Sequence, residues 1–231
     1  MTPDTLDARL LTCARFVRAG AVFADIGTDH GYLPIFLLKS GKIERAVLSD
    51  INEGPLSSAR ENVRENGLSD KCTFMLCDGA NALSGMGITD YAICGMGGEL
   101  IASIISSAEH LMAVGTRLIL QPMSRPNFVR ECLCTLGFTI LDERYSASLG
   151  KYYLTILAEY RGKRQDLTRE IYELGEEFLH PSDEKEYIAY LTRRRESLVR
   201  AVLGKELGGE GTDYEKNLIS IIDKRLKGMK K

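Results

Sequence analysis

The residues from Asp25 to Pro34 read DIGTDHGYLP. They follow the apolar run AVFA and lead into IFLL, so they join a short buried strand to a helix. In a parallel α/β sheet, the loop at this point is where a nucleotide-like ligand binds. Asp29, however, occupies the place of the middle glycine in the G-x-G-x-x-G loop that binds pyrophosphate. The stretch therefore predicts an α/β sheet whose ligand site differs from a dinucleotide site.

Outward from this loop, short apolar runs alternate with helical patterns up to about residue 160. The strand candidates are 21–26, 46–50, 72–77, 91–95, 116–121, 138–145 and 152–160. Most are continuously apolar, as expected for strands buried on both faces of a parallel sheet. The predicted helices are 53–66, 98–110, 126–135 and an amphipathic N-terminal helix with Leu6, Leu10, Ala14 and Val17 on one face. This alternation predicts a doubly wound sheet.

The end of the sheet distinguishes two kinds of α/β fold. Between 138–145 and 152–160 only SASLGK remains, which is too short for a crossover helix, so these two strands must form an antiparallel hairpin. Five parallel strands followed by such a hairpin are typical of class I S-adenosylmethionine-dependent methyltransferases, whereas a dinucleotide-binding sheet ends with another crossover. The sequence thus predicts an α/β, Rossmann-like sheet of seven strands with an antiparallel last strand.

The composition changes at about Arg161. We expect residues 1–160 to form the Rossmann-like domain and residues 161–231 a helical C-terminal domain. A short heptad pattern, with Arg195 in one apolar position, is followed by GGEGT and a second amphipathic segment, which predicts a coiled-coil-like hairpin. The apolar heptad residues are Ile188, Leu191, Leu198 and Val202. The basic residues could contact RNA phosphates or form an ordinary solvated face: Arg193, Arg194, Arg195, Arg200, Lys205, Lys224, Arg225, Lys227, Lys230 and Lys231.

The composition bounds the class of protein. The chain has 231 residues, 44% hydrophobic and 27% charged, and its formal net charge of −2 provides no general field for nucleic acid. No apolar run is long enough to span a membrane, and the first residues are polar, so we expect a cytoplasmic protein. The six cysteines are scattered without the spacing of a zinc site, and we expect no metal.

The first loop has the chemistry for a cationic ligand. The carboxylates of Asp25 and Asp29 would repel a pyrophosphate but attract the sulfonium and ammonium groups of S-adenosylmethionine. Gly27 and Gly31 permit positive φ, and Asp29 is one of the few other residue types expected to tolerate it, which would preserve the shape of the loop. The alternative is a turn in which both aspartates merely cap the following helix.

Two later strand ends offer further acidic contacts. Asp50, followed by Ile51, lies about 20 residues beyond the glycine loop, where an acidic residue suits ribose hydroxyls. Asp78, followed by Gly79, could accept a hydrogen bond from an adenine amino group, or it could cap a short helical turn. Neither signal is specific alone, but both agree with the first loop.

The segment CGMGG at 94–98 lacks the Asn/Asp–Pro–Pro–aromatic motif of many enzymes that methylate exocyclic amines. A ring nitrogen such as adenine N1 already has an in-plane lone pair, so positioning could suffice. Gly95, Gly97 and Gly98 would let a flat base approach the backbone closely. They could also simply form a tight turn into the next helix.

Candidate catalytic residues lie in and after the first loop: Asp29, His30 and Tyr32. His30 could act as a base, although a histidine beside an aspartate is often structural. Tyr32, Tyr152 and Tyr153 could stack on a base or serve in packing. Gln121, at the tip of a buried strand, is expected to face the crevice.

The segments ADIGTDHGYLP, SDINEGPLSSARENV, CDG, ICGMGGELI and LILQPM together resemble the bacterial tRNA (adenine-22-N1)-methyltransferase family, also called TrmK-like. The resemblance runs through nearly the whole chain. It implies S-adenosylmethionine as cofactor, methylation of N1 of an adenine in the tRNA D-arm, and a C-terminal helical hairpin that helps to hold the RNA. The candidate cofactor residues are Asp25, Gly27, Asp29, His30, Gly31, Asp50, Ile51, Asp78, Gly79, Gly95, Met96 and Gly97.

Other functions are compatible with the same fold. The chain could methylate another RNA position or a small molecule, or it could be a tRNA-binding module without catalysis. A nicotinamide enzyme is the least favoured, because the glycine fingerprint is broken and the sheet ends in a hairpin. We expect tRNA as partner, no membrane association, and a monomer, although the heptad pattern could pair helices within one chain or between chains.

Overall fold

The computed structural model describes residues 5–175 and 178–229, which contain a seven-stranded sheet of order β3-β2-β1-β4-β5-β7-β6. The strands are β1 Phe23–Ile26, β2 Ala46–Asp50, β3 Cys72–Leu76, β4 Asp90–Gly97, β5 Arg117–Ser124, β6 Phe138–Ser148 and β7 Lys151–Tyr160. The first five are parallel, and the last strand, β7, is antiparallel to both of its neighbours, β5 and β6, as predicted. Because β1 lies between β2 and β4, the chain switches direction beside β1, where α/β sheets bind ligands.

The hairpin and the end of β4 differ from the sequence prediction. The predicted loop SASLGK is reduced to the turn at Leu149 and Gly150, both with positive φ (49° and 73°). Two positive φ values define the type I′ turn, whose twist matches that of the flanking strands. At the other position, CGMGG belongs largely to β4, which shifts register against β5 around Met96. This bulge, with Gly95 at a φ of 78°, redirects the strand end.

The helices are α1 Ala8–Phe16, α2 Tyr32–Lys39, α3 Glu53–Glu65, α4 Gly98–Ser107, α5 Pro126–Leu136, α6 Arg169–Leu174, α7 Glu184–Leu207 and α8 Asp213–Met229. They form two layers because the side chains of each strand alternate between the faces of the sheet. Ala46 and Leu48 join the core under α1, α2 and α3, whereas Val47 joins the core under α4 and α5. None of the helices in the described ranges is long and apolar enough to cross a membrane.

The C-terminal helices share the core of the sheet. Tyr187 and Leu191 of α7 and Leu218 and Ile222 of α8 are buried in the same cluster as Val47. The buried first position of the predicted heptad is thus Tyr187, while Ile188 is only half-buried. At the polar heptad position, Arg195 Nε donates to Asp223 Oδ1 at 2.5 Å, which joins α7 to α8. An ion pair therefore replaces one apolar contact of the helical hairpin.

A buried ion pair anchors the segment that leads into these helices. Arg130 of α5 and Glu143 of β6 are both fully buried, and Arg130 Nε donates to Glu143 Oε1 at 2.6 Å. Arg130 also donates to the backbone carbonyls of Tyr172 (2.7 Å) and Glu173 (3.3 Å) at the end of α6. Although burial alone would lower the pKa of Arg130, the Glu143 carboxylate raises it above its ordinary value. Residues on both sides of the predicted boundary at 160 are therefore tightly connected.

Candidate active site

Glycines set the shape of the loop that follows β1. Gly27 and Gly31 have φ values of 75° and 68°, whereas Asp29 is not among the positive-φ residues, which corrects the expectation that Asp29 substitutes for a left-handed glycine. The amides of Gly27 and Thr28 both donate to the carbonyl of Ser49, at 2.8 and 3.0 Å, so the loop is fastened to β2. A Cβ on Gly27 would overlap the methyl group of Met96, which packs directly over it.

Asp25 is the buried carboxylate of this loop. Its side chain is 7% exposed, and Thr28 Oγ1 donates a 2.7 Å hydrogen bond to Asp25 Oδ2. Burial raises the pKa of Asp25 from 3.8 to about 6, and the Thr28 bond offsets only part of that rise. A cation bound beside Asp25 would favour the ionised form and lower that pKa again.

A cavity of about 470 Å³ opens at the carboxyl ends of β1, β2, β3 and β4. Eleven of the twelve candidate cofactor residues line it, and so does Tyr32. Gly97 is the exception: a Cβ there would face Ser124 Oγ at 3.5 Å, on the β5 side. Gly98 is required by packing, since a Cβ would overlap the carbonyl of Arg125. The cavity thus brings together residues from four separate sequence segments, and Gly97 supports it only from outside.

The cavity has both polar and apolar lining residues. Asp50 Oδ1 accepts a 2.7 Å hydrogen bond from the amide of Asn52, which fixes its carboxylate at the end of β2. Asp78 is exposed at the end of β3. The apolar lining comes from Ile51, Leu100 and Ile104. A buried acid, two acids at neighbouring strand ends and an apolar wall fit a ligand with a cationic end, hydroxyls and a flat base, which is the chemistry of S-adenosylmethionine.

The three candidate catalytic residues lie at the mouth of this cavity. The side chains of Asp29 and His30 are 76% and 45% exposed, and Asp29 Oδ2 lies 3.4 Å from His30 Nε2. The ring of His30 stacks on that of Tyr32, with centroids 5.2 Å apart, and Asn62 Nδ2 donates to the His30 carbonyl at 2.9 Å. This group is therefore held as an aromatic and charged rim beside the opening.

Sequence reasoning missed Arg9, which the structure places in the same cavity. Arg9 lies on α1, and its guanidinium donates to the Oε1 atom of Gln121 at 2.9 Å. A Cβ on Gly95 would lie 4.0 Å from Arg9 Nη1, so the close approach to Gly95 is made by this arginine, whereas the sequence suggested a base. Nothing in the amphipathic pattern of α1 marks Arg9 as different from other polar residues of that helix.

A second, larger cavity of about 1090 Å³ lies between the end of β5, the β6–β7 hairpin and helices α7 and α8; we call it the interdomain groove. Its lining includes six basic residues and one acidic residue, Glu215. The basic residues are Arg125, Lys151, Arg169, Arg193, Arg194 and Lys205, and the aromatic ones are Phe128, Tyr152, Tyr153, Tyr190 and Tyr214. A surface of this composition suits a phosphate backbone with unstacked bases.

Comparisons with known proteins agree with this geometry. Residues 6–156 match the family described as "Methyltransferase domain". A Bacillus subtilis tRNA (adenine(22)-N(1))-methyltransferase is 35% identical over 154 residues, which are 67% of this chain and 65% of that protein. A candidate tRNA (m1A22) methyltransferase of Streptococcus pneumoniae, solved in complex with S-adenosyl-L-methionine, is 30% identical, with a TM-score of 0.81 over 96% of this chain and 100% of that one.

The chain belongs to the TrmK-like methyltransferase family. The resemblance inferred from the sequence motifs is thereby confirmed, as is the predicted fold. M. capricolum TrmK, solved with S-adenosyl-homocysteine, is 25% identical and superposes with a TM-score of 0.78 over 96% of this chain and 98% of its own. The similarity of this TrmK-like chain to solved structures therefore includes the C-terminal helices, beyond the 65% of the Bacillus subtilis protein that its sequence alignment spans. Over the described ranges, no cluster of His, Cys, Asp and Glu in this TrmK-like protein could hold a metal ion.

Proposed function

We propose that this protein transfers the methyl group of S-adenosylmethionine to N1 of an adenine in the D-arm of tRNA, at position 22, as a cytoplasmic monomer. The observation that carries the proposal is the pairing of two sites at one edge of the sheet. The acidic cavity suits a cationic cofactor, and the basic, aromatic groove beside it suits RNA. When bound, the cofactor supplies an electrophilic methyl group on its sulfonium.

The carboxylates have distinct binding roles. Asp25, buried and held by Thr28, pairs with a positive group of the cofactor and is ionised when that group is present. Asp50, whose orientation is fixed by the Asn52 amide, accepts hydrogen bonds from ribose hydroxyls. Asp78 would accept a hydrogen bond from the adenine amino group of the cofactor, and the apolar side chains of Ile51 and Ile104 line the same cavity.

The protein need not remove a proton before methyl transfer, because N1 of adenine already carries a free lone pair. Its residues instead orient the acceptor and exclude water from the cavity, so proximity supplies most of the rate. Asp29, His30 and Tyr32 form part of the rim of the cavity, and the stacked rings of His30 and Tyr32 offer the target base an aromatic surface. The target base must leave its helical stack to reach the cavity.

We assign the RNA contact to the C-terminal helical domain, residues 161–231, together with the facing edge of the methyltransferase domain. Of the basic residues marked in the sequence, Arg193, Arg194 and Lys205 line the interdomain groove. Each of these three also pairs with a carboxylate, as Arg195 does with Asp223, but Arg195 does not line the groove. Lys230 and Lys231 lie outside the described residues.

The test uses labelled S-adenosylmethionine and tRNA transcripts. Intact tRNA should incorporate the label, and a transcript with guanosine in place of adenosine 22 should incorporate almost none. Equal incorporation into both would refute the position, and incorporation into neither would refute the activity on tRNA. Mapping of the product to 1-methyladenosine by nuclease digestion and mass spectrometry checks the methylated atom.

A methyltransferase for a small molecule is the alternative, and deletion of residues 161–231 cannot separate the two. Tyr187, Leu191, Leu218 and Ile222 belong to the core of the sheet, so their removal would expose that core. Point substitutions in the groove are the better tool, because they leave the core intact. Activity unchanged by the loss of groove charges would favour a small acceptor.

A further inference from the structure

Arg9 lies where the two cavities meet. Its guanidinium lines the cofactor cavity, while its Cζ atom is 5.8 Å from the centroid of the Tyr153 ring, which lines the interdomain groove. The Arg9 side chain is partly accessible, with 17% of its surface exposed. An acceptor nucleotide that enters the cofactor cavity from the groove must therefore pass this arginine.

Gln121 holds the guanidinium in this place. The Gln121 side chain is completely buried, and its Oε1 atom accepts hydrogen bonds from Arg9 Nη1 at 2.9 Å and from the Gly95 amide at 3.2 Å. The same residue therefore fixes Arg9 and the bulged end of β4. The residues that follow it, Pro122 and Met123, line the groove. A displacement of Gln121 would thus change both the cofactor cavity and the interdomain groove.

The charge of Arg9 calls for an anionic partner. Two anions are available to balance this charge, the α-carboxylate of S-adenosylmethionine and a phosphate of the RNA. Asp7 supplies part of that balance, with Oδ2 at 3.6 Å from Arg9 Nη2. The bond to Gln121 uses only one of the five N–H donors of the guanidinium, whose planar fork matches the geometry of a phosphate.

We propose that Arg9 binds a phosphate flanking the target adenosine and that Gln121 is the positioning residue that holds Arg9 for this contact. The inference rests on the proposed function and adds to it the residue that fixes the position of the flipped nucleotide. Phosphate contacts fix the register of a nucleic acid, and a base tethered to a fixed phosphate has few positions left to sample. Loss of the contact should therefore lower kcat more than it raises KM, because misplacement by about 1 Å can cost about 100-fold in rate.

The experiment combines protein and RNA variants. Wild type, Arg9→Ala and Arg9→Lys are each given a tRNA substrate with natural linkages, or one with a neutral methylphosphonate at either phosphate flanking adenosine 22. A methylphosphonate placed several nucleotides away is the RNA control. Arg15→Ala, which removes an exposed arginine from the same helix, is the protein control. Cofactor affinity by calorimetry and thermal melting are recorded for every variant.

On the natural substrate, Arg9→Ala should lose about 10- to 100-fold in kcat with unchanged cofactor affinity, and Arg15→Ala should behave as wild type. The flanking methylphosphonate should lower kcat of wild type by a similar factor. It should not lower kcat of Arg9→Ala any further. Arg9→Lys should recover part of the loss, since it keeps the charge but not the planar fork. Gln121→Leu should lower kcat in the same way, without an additional effect when combined with Arg9→Ala.

Three results would overturn the proposal. One is a wild-type rate that is insensitive to both flanking methylphosphonates, and another is an Arg9→Ala variant that remains as sensitive to them as wild type. The third is a loss of cofactor affinity in Arg9→Ala, which would assign the arginine to the cofactor. Failure of the proposed function would look different, because wild type would then fail to methylate the natural substrate at adenosine 22.

Discussion

The cofactor cavity and the interdomain groove are adjacent, but the chain builds them in different ways. The cavity is lined mainly by residues at the carboxyl ends of the parallel strands β1 to β4. Side chains of α1 lie beside them. The groove is lined by the end of β5, the hairpin between β6 and β7, and two long helices from the last quarter of the chain. The first site follows from sheet topology, and the second exists only after the helices have packed.

The two sites also differ in charge. Asp25, Asp29, Asp50 and Asp78 face the cavity, with Arg9 as the basic residue of that lining. Among the residues that line the groove the balance is reversed, with six basic residues and a single acidic one, although five of the six basic side chains also pair with carboxylates. Each site therefore favours one of two ligands of opposite charge and disfavours the other. If this division is correct, substitutions should change either cofactor affinity or RNA affinity, and seldom both.

The largest expected effect comes from the buried ion pair that supports the groove. Arg130→Met leaves the Glu143 carboxylate and the carbonyl of Tyr172 without their buried partner. We expect a loss of about 3–5 kcal/mol in the free energy of unfolding, measured by urea titration. At a temperature where the variant is folded, KM for tRNA should rise while cofactor affinity stays within about twofold, since the cavity lies on other strands.

The matched control for this prediction is Arg130→Met combined with Glu143→Leu. Replacing both charges with apolar side chains removes the unpaired carboxylate, so most of the lost stability should return. If the double variant were as unstable as the single one, the damage would come from the lost backbone hydrogen bonds to the α6 segment. If the single variant instead lost cofactor affinity first, the two sites would not be separable.

The second prediction concerns the buried carboxylate of the cavity. Asp25→Asn preserves the shape of the side chain and an acceptor for Thr28, but removes the negative charge. We expect cofactor affinity to fall by about 2–3 kcal/mol, or roughly 30- to 150-fold, measured by calorimetry. KM for tRNA should not change, because Asp25 does not line the groove. An affinity within threefold of wild type would exclude Asp25 as the partner of the cationic group.

The raised pKa of Asp25 leads to a pH dependence, the third prediction. Because that pKa is about 6, cofactor affinity should fall about tenfold between pH 7.5 and 5, and Asp25→Asn should show no such slope. Stability without cofactor has the opposite dependence. A carboxyl group whose pKa is higher in the folded than in the unfolded state contributes stability that is lost as the pH rises through about 6. Asp25→Asn should therefore gain stability relative to wild type from pH 4 to pH 7.

The sequence predicted the sheet well because its signals are local. Continuous apolar runs, glycine stops and the short link SASLGK determine strand number and the antiparallel hairpin without knowledge of distant contacts. The predicted positions of the strand ends were less accurate. Pairing with the neighbouring strand determines the type I′ turn at Leu149 and Gly150 and the bulge at Gly95. Asp25 and Asp29 look equivalent in sequence, but only the folded chain shows that one is buried and the other exposed.

The groove and Arg9 could not be predicted in the same way. Arg193 and Arg195 are two residues apart in one basic run, yet only Arg193 lines the groove, although both form ion pairs, Arg193 with Glu196 and Arg195 with Asp223. Which of them faces RNA depends on how α7 lies against α8 and the sheet, and no local pattern encodes that angle. Arg9 is one polar residue on an amphipathic helix, and its place over Gly95 results from the packing of α1 beside β5 and β7.

The fourth prediction isolates the groove. The pair Lys151→Ala and Arg193→Ala removes two exposed charges from its lining. We expect KM for tRNA to rise about tenfold, with cofactor affinity unchanged. The slope of tRNA affinity against salt concentration should correspond to about two fewer released ions. The matched control is Arg45→Ala with Lys71→Ala, which removes the same charge from exposed positions outside the groove. An equal rise in the control would show that only net charge matters.

The smallest effect is expected at Asp29, although its position in the glycine loop makes it conspicuous in the sequence. Its side chain is 76% exposed at the mouth of the cavity, where water and salt screen its charge. Asp29→Ala should weaken cofactor binding only about two- to threefold at low salt, and the difference should disappear at high salt, as for exposed ion pairs. Asp29→Asn, which keeps the size but not the charge, should behave like Asp29→Ala. A loss comparable to that of Asp25→Asn would mean that Asp29 becomes buried on ligand binding, so that the mouth closes over the cofactor and the cavity is completed only by its ligand.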